Sequence, residues 1–488
     1  MNITSTHKNI VFNILLQLIT AISGFILPPL LIIHYGSPIN GLVSSIKQFI
    51  AYLSLVESGV GVASIAALYP YVANKDTKKI NQILTATKHF YNVSGIIFSI
   101  LLLACSVLYS VMIKKEINFF VPFLMFLILG LSGLADFFFI GKYRVLLFVN
   151  KKNYVISFTQ TIGVVFNLTI CIIFINLNFD IVVIQFFSSA FYVVKIIILK
   201  IYVKKKFSYI QFNDIPDKNA LYQRWDALFL QLSSLAVFNS PIIILTIFCD
   251  LKDVSVYAVY AMIFTAIDTL LSVMSTGLSA NFGELLYSDK EKLIKYFRKY
   301  ETIMYLFIGW GYSCTILLIK PFLSLYTKNL TDINYQRFEL IPLFVFVGVV
   351  NKIRVPGGML IEAAGKFKET KFRGLAEAII NVVISVICTI KLGMIGVIIG
   401  GCCSYLYRTV DVLFYAPKYI LFDSKIKSIV KIFFLFCLYA VLIFLINTFI
   451  CTRVYIDSYL KWFCFALLYG GILIVPTLLF FYSGKEND

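Results

Sequence analysis

The chain has 488 residues, of which 60% are apolar and only 14% charged, and its mean hydropathy is +0.87. A soluble domain is nearer half apolar and a quarter charged, and has too little interior for this much Leu, Ile, Val and Phe. A bilayer supplies the missing apolar solvent at about 20 residues per helical crossing. The formal charge of +18 sits in short clusters between apolar runs, which suits anionic headgroups and a positive-inside bias and argues against nucleic acid.

In chain order the apolar runs fall near 10–33, 42–72, 89–112, 117–141, 154–175, 181–203, 225–249, 254–287, 300–319, 338–364, 372–390, 394–416, 428–450 and 459–482. The first follows Lys8, is longer than a leader core and lacks a small-residue cleavage pattern, so it reads as a membrane helix. The runs 42–72 and 254–287 exceed one crossing and are expected to tilt or to project beyond the bilayer. The tightest turns are expected at 176–178 and 391–393. The pattern predicts an all-α polytopic protein of about fourteen spans.

Most Lys and Arg residues fall in alternate loops. Lys75, Lys78 and Lys79, then Lys151 and Lys152, then Lys204, Lys205 and Lys206 lie on one side, against sparse cations such as Lys114, Lys252 and Lys391 on the other. The positive-inside rule then places both termini in the cytoplasm, which requires an even number of spans. The two halves repeat. Leu16-Gln17-Leu18 recurs as Leu230-Gln231-Leu232, and a nearly constant offset relates Lys78 to Lys292, Tyr91 to Tyr305 and Asn167 to Asn381. Six spans per half give two like-oriented bundles, a parallel repeat about an axis along the membrane normal. The expected organisation is a bundle over 1–210, a second over 219–417, and two additional helices over 425–484.

The loops are too short to carry a catalytic domain, and no G-x-x-x-x-G-K-[ST] stretch occurs. His7, His34 and His89 pair with no nucleophile by sequence. The cysteines lie mostly within apolar runs and lack a C-x-x-C spacing, so they read as small apolar fillers. Neither an enzyme nor a catalytic or metal site is expected.

A charge within a span costs at least about 2.5–3.5 kcal/mol and needs a partner, a hydrated cavity or a function. Lys352 and Arg354 fall mid-span, ahead of Pro356-Gly357-Gly358, which is expected to loosen the helix. Two readings stand for them: an anionic, phosphate-bearing ligand, or pairing with carboxylates. Lys47, nearer one end of its run, is a third cation for such a cavity. Glu57, Asp268 and Asp136 are candidates for H⁺ or Na⁺ coupling or for charge balance. Arg408 and Asp411, at i and i+3, read as a structural ion pair. Lys195, Asp226, Glu284 and Glu377 lie near span ends, where ordinary pairing suffices. Pro28 and Pro29 in the first span and Pro241 in its repeat partner read as hinge positions, because proline removes a backbone hydrogen bond.

The stretches Tyr35-Gly36-Ser37-Pro38-Ile39-Asn40-Gly41-Leu42-Val43-Ser44-Ser45 and Leu55-Val56-Glu57-Ser58-Gly59-Val60-Gly61 resemble the polysaccharide transporter family. So do Ala364-Gly365-Lys366-Phe367-Lys368, Glu377-Ala378-Ile379-Ile380-Asn381 and Leu392-Gly393-Met394-Ile395-Gly396-Val397. That family holds the O-antigen and capsule repeat-unit flippases and belongs to the multidrug/oligosaccharidyl-lipid/polysaccharide exporter superfamily. The resemblance implies two six-helix bundles around a cationic cavity and two further helices, in a bacterial-type plasma membrane. It implies a flippase moving an undecaprenyl-diphosphate-linked oligosaccharide from the inner to the outer leaflet by alternating access, for surface polysaccharide synthesis. Membrane lipids, a polysaccharide polymerase and assembly proteins are the implied partners, with no nucleic acid and no cofactor beyond a coupling ion. A cation-coupled multidrug exporter, a peptidoglycan-precursor flippase and, from another class, a membrane glycosyltransferase or polymerase remain as alternatives.

Overall fold

A computed structural model describes residues 3–57, 59–217, 224–273, 282, 285–286, 288–422, 426–450 and 456–485. Every regular element among them is helical. Thirteen helices are long and apolar enough to cross a membrane, and a further helix at Arg224–Phe248 carries the apolar stretch Leu235–Phe248. Each of the fourteen expected runs carries at least one described helix. Burial in water could not produce this, because the helices leave large apolar side chains such as Ile100, Leu108 and Phe433 more than half exposed. Lipid is the solvent that makes such faces favourable.

The chain divides into two compact units, Met1–Ala258 and Val259–Asp488. The first holds α1 (Ile3–Tyr35), α2 (Ser37–Leu53), α3 (Val60–Ala73), α4 (Thr77–Met112), α5 (Phe120–Ala135), α6 (Gly141–Val149), α7 (Tyr154–Asn176), α8 (Ile181–Ser189), α9 (Phe191–Lys206) and α10 (Arg224–Phe248). Helix α11 (Leu251–Val273) begins in it and ends in the second unit. The second unit continues with α12 (Lys290–Tyr326), α13 (Leu340–Ile353), α14 (Val355–Ala363), α15 (Phe367–Leu392), α16 (Met394–Ala416), α17 (Ile426–Phe449), α18 (Tyr459–Leu473) and α19 (Val475–Lys485).

The overlong run 42–72 is not one tilted helix. A 3-10 turn at Ser54–Glu57, followed by Gly59 at φ 85, separates α2 from α3. Only glycine adopts that backbone without cost, so the sequence itself places the break. Of the run 254–287, α11 covers the part to Val273, and most of the remainder lies outside the described residues. Pro28, Pro29 and Pro241 all lie inside unbroken helices. Pro356 follows a one-residue interruption at Arg354, and the Gly358 amide still donates to the Arg354 carbonyl at 2.9 Å. The helix is therefore nicked at the arginine, not loosened beyond it. Both short turns are present, with Asn178 at φ 56 and Gly393 at φ 57.

The repeat is visible in the caps. The two longest helices, α4 with 36 residues and α12 with 37, each begin at an aspartate. Asp76 accepts from the Lys79 amide at 3.0 Å, and Asp289 from the Lys292 amide at 2.9 Å. An N-cap carboxylate satisfies a free amide and complements the helix dipole.

Helix α2 is held tightly against α10 and the start of α11. Asn40 Nδ2 donates to Ser255 Oγ at 2.7 Å, Ser45 Oγ lies 2.7 Å from Thr246 Oγ1, and Tyr52 OH donates to the Leu235 carbonyl at 3.2 Å. Gly41 permits this approach, since a Cβ there would stand 1.9 Å from the Leu251 carbonyl oxygen. Backbone cannot yield as a flexible side chain can. Gly41→Ala is expected to destabilise the first unit by about 1–3 kcal/mol, the usual cost of overpacking. A lowered melting temperature of the purified protein checks this.

In the second unit the C-terminal helices pack on α12 through Leu306, Leu317, Tyr439, Tyr469 and Leu473. Indole groups pin them, with Trp310 Nε1 donating to the Gly470 carbonyl at 3.0 Å and Trp462 Nε1 to the Leu318 carbonyl at 3.1 Å. In hydrocarbon these bonds have no competing water, which gives them their value.

Candidate functional site

The charged side chains within the spans form separate groups, each built by the packing just described. In the first unit, Arg144 on α6 bridges two carboxylates. Its Nη2 lies 2.7 Å from Asp136 Oδ2, and its Nη1 lies 3.7 Å from Glu57 Oε1. Glu57 ends the 3-10 turn after α2, and Asp136 opens a π-helical turn at Asp136–Ile140 between α5 and α6. Two backbone irregularities thus meet at one arginine. Glu57 Oε2 and Asp136 Oδ1 are buried with no hydrogen-bond partner among the described residues. Glu57 follows α2, which opens at Ser37, and directly precedes the break before α3.

Lys47 differs from every other cation considered within the spans. It is exposed on α2, and no ion pair or hydrogen bond involves it among the described residues. The span runs Ser37–Glu57, so Lys47 lies at its centre and not toward one end. The run 42–72 hides the start of this helix at Ser37. The neighbouring Ile46 and Ile50 are buried, and the contacts of α2 to α10 and α11 hold the lysine's backbone rigidly. Lys195, by contrast, is buried and donates to Gln160 Oε1 at 2.8 Å.

In the second unit Lys352 and Arg354 are both partnered. Lys352 Nζ donates to Ser272 Oγ at 3.1 Å and lies 3.6 Å from Asp268 Oδ1, which also accepts from Tyr312 OH at 2.8 Å. Arg354 Nη1 lies 2.5 Å from Glu377 Oε1. Glu377 also faces Arg408 at 3.8 Å, and Arg408 pairs with Asp411 at 2.6 Å. Arg373 completes this chain by pairing with Asp411. Of the two readings for Lys352 and Arg354, the observed contacts are those of carboxylate pairing. The reason is energetic. With its side chain only 8% exposed, Lys352 needs a counter-charge whether or not a ligand is bound.

Sequence reasoning missed two residues. Arg144 looked like a loop cation, because the apolar run before it ends at residue 141. Glu301 lies in the N-terminal third of α12 and is 2% exposed. It accepts from Ser428 Oγ at 2.7 Å and Arg298 Nη1 at 3.0 Å, and lies 3.3 Å from Lys431 Nζ, so it ties α17 to α12. The charge cluster at 290–301 was the only signal that could have found it. The Asp226 and Gln231 side chains and the residue Glu284 lie outside what is described.

A cavity of about 210 Å³ lies in the second unit between α12, α13 and α17, lined by Ile308, Tyr312, Val349, Ile353, Phe436 and Tyr439. Its wall is almost wholly apolar. It suits hydrocarbon and does not correspond to the cationic cavity that the family resemblance implies.

These features define a polytopic helical membrane protein with ionic groups buried inside its spans. No family model matches the chain, and no curated protein matches it. Solved structures do. The lipid II flippase MurJ in an inward closed conformation has a TM-score of 0.72 at 14% identity, covering 98% of this chain and 99% of that one. An inward-facing multidrug resistance MATE transporter of the MOP superfamily has a TM-score of 0.65 at 15% identity, covering 83% of this chain and 94% of that one. An outward-facing MATE transporter has a TM-score of 0.60 at 15% identity over 85% of this chain and 95% of that one. The chain therefore has the fold shared by these solved structures. The flippase covers nearly all of this chain, whereas the multidrug transporters cover 83% and 85% of it.

Proposed function

We propose that the protein is a flippase carrying an undecaprenyl-diphosphate-linked oligosaccharide repeat unit from the inner to the outer leaflet of a bacterial plasma membrane, for surface polysaccharide synthesis. The observation that carries the reading is the end-to-end correspondence with a flippase fold, including the C-terminal helices. The sequence resemblance narrows the cargo to polysaccharide units. On this reading Lys47 meets the diphosphate, since an unpaired cation at mid-span offsets the cost of bringing phosphate into a low-dielectric space. Lys352 and Arg354 contribute by exchanging carboxylate for phosphate during the cycle. Coupling to H⁺ or Na⁺ falls to Glu57 and Asp136, whose buried oxygens lack partners, and to Asp268. The inside-negative potential adds about 2.3 kcal/mol per charge per 100 mV to outward movement of an anionic headgroup that crosses the whole drop.

The correspondence with the lipid II flippase favours one second reading, in which the cargo is the peptidoglycan precursor. Deleting the gene and extracting the lipids separates the two. Accumulation of polyprenyl-linked repeat units on the inner leaflet, with loss of surface polysaccharide and normal cell-wall synthesis, is the expected result. Accumulation of the cell-wall precursor would establish the second reading. Drug sensitivity with neither lipid accumulating would overturn both.

A further inference from the structure

Three lysines of the first unit converge where it meets the membrane surface. Lys88 on α4 donates through Nζ to the Phe212 carbonyl at 3.4 Å. Lys142 on α6 holds its Nζ 5.4 Å from the Phe212 ring and 5.3 Å from the Tyr143 ring. Lys200 on α9 is exposed, and α9 packs against α6, which carries Lys142. None of the three has a carboxylate partner among the described residues. The neighbouring Asp217 is taken by Lys79 at 3.7 Å.

Their depths agree. At about 1.5 Å rise per residue, Lys88 lies about 36 Å from the far end of α4 at Met112. Lys142 lies about 33 Å from Phe120, and Lys200 about 29 Å from Ile181, on the same count. A hydrocarbon core is about 30 Å thick, so all three ammoniums stand at headgroup level on one side.

The floor beneath them is ordered. The segment after α9 is pinned by one side chain, as Asn81 Nδ2 donates to the Tyr209 carbonyl at 3.3 Å and Asn81 Oδ1 accepts from the Gln211 amide at 3.0 Å. Tyr143 and Phe212 stack edge to face at 5.8 Å between the lysines. A lone interfacial lysine snorkels to water and needs no ligand. Three that gather on a fixed floor without a counter-charge repel one another, and an anion relieves that repulsion.

We propose that Lys88, Lys142 and Lys200 form a binding site for the phosphate of a lipid headgroup, seated on Phe212 and Tyr143. The phosphate comes either from an anionic bilayer lipid or from a polyprenyl diphosphate, the second case resting on the transport reading above. Native mass spectrometry of the full-length protein, released from mixed micelles, tests the site. The probes are phosphatidylglycerol and undecaprenyl diphosphate, each competed against phosphatidylcholine. The wild type is expected to retain at least one probe with roughly fivefold preference.

Lys88→Gln/Lys142→Gln/Lys200→Gln should bring that preference to near parity, and the matching arginine triple should keep it. A control triple, Lys204→Gln/Lys205→Gln/Lys206→Gln, removes equal charge from exposed positions nearby and should keep the preference too. Preference for the diphosphate over phosphatidylglycerol assigns the site to the carried lipid, and the reverse assigns it to the bilayer. Unchanged preference in the first triple, or equal loss in the control, overturns the proposal. Thermal melting of each variant separates lost binding from lost folding. The readout is binding, so failure here leaves the transport reading standing, and failure of transport leaves this site standing.

Discussion

Lys47→Gln is expected to abolish delivery of repeat units to the cell surface while the protein still folds and inserts. Lys47 has no ion pair or hydrogen bond among the described residues, so removing its charge orphans no carboxylate. Substitutions away from packed or paired sites usually change stability by no more than about 0.5 kcal/mol. A charge-assisted hydrogen bond to phosphate is worth about 1.5–3 kcal/mol, which corresponds to a loss of roughly 10- to 150-fold in the translocation rate. Lys47→Arg keeps the charge and should keep most activity. The measurements are surface polysaccharide by immunoblot and accumulated lipid-linked precursor in a strain lacking the native copy. Normal surface polysaccharide in the glutamine variant would remove Lys47 from the mechanism.

The pair Asp268–Lys352 should behave in the opposite way. Lys352→Met leaves Asp268 with only Tyr312 as a described partner, and Asp268→Asn leaves a buried ammonium beside an amide. Breaking a buried ion pair from one side costs about 3–5 kcal/mol, because the remaining charge is uncompensated. Each single variant should therefore melt earlier and accumulate poorly. The double variant removes both charges and should recover most of the stability, a coupling that a double-mutant cycle reads directly. Transport should not return with stability, since the pair is proposed to open toward the headgroup and toward a coupling ion. A stable double variant that delivers polysaccharide normally would reduce the pair to a structural clamp.

The helices were legible because a span must be apolar over about 20 residues and must end where charge, glycine or proline begins. The fourteen runs, the turn at Gly393 and the ion pair Arg408–Asp411 all follow from spacing along one stretch of chain. The start of α2 was less legible. Ser37-Pro38-Ile39-Asn40 looks like a loop, yet Pro38 occupies the first helical turn, where its missing amide costs nothing. Missing that start is what set Lys47 toward one end of the run 42–72. The proline hinges reached the same limit from another side, since a proline shows where a helix can bend and packing decides whether it does.

The sequence alone therefore determined that this is a helical, polytopic membrane protein and where most of its apolar helices lie. Hydrophobicity and helical rise are local properties, and each run carries its own. Only the tertiary structure decided which charges are balanced. Arg144 joins Glu57, Lys352 joins Asp268, and Arg354 joins Glu377, in each case across different helices. Coulomb attraction acts through space in a medium of low dielectric, so a charge finds its partner by packing and not by spacing along the chain. Lys47 stands out only once its neighbours have been paired.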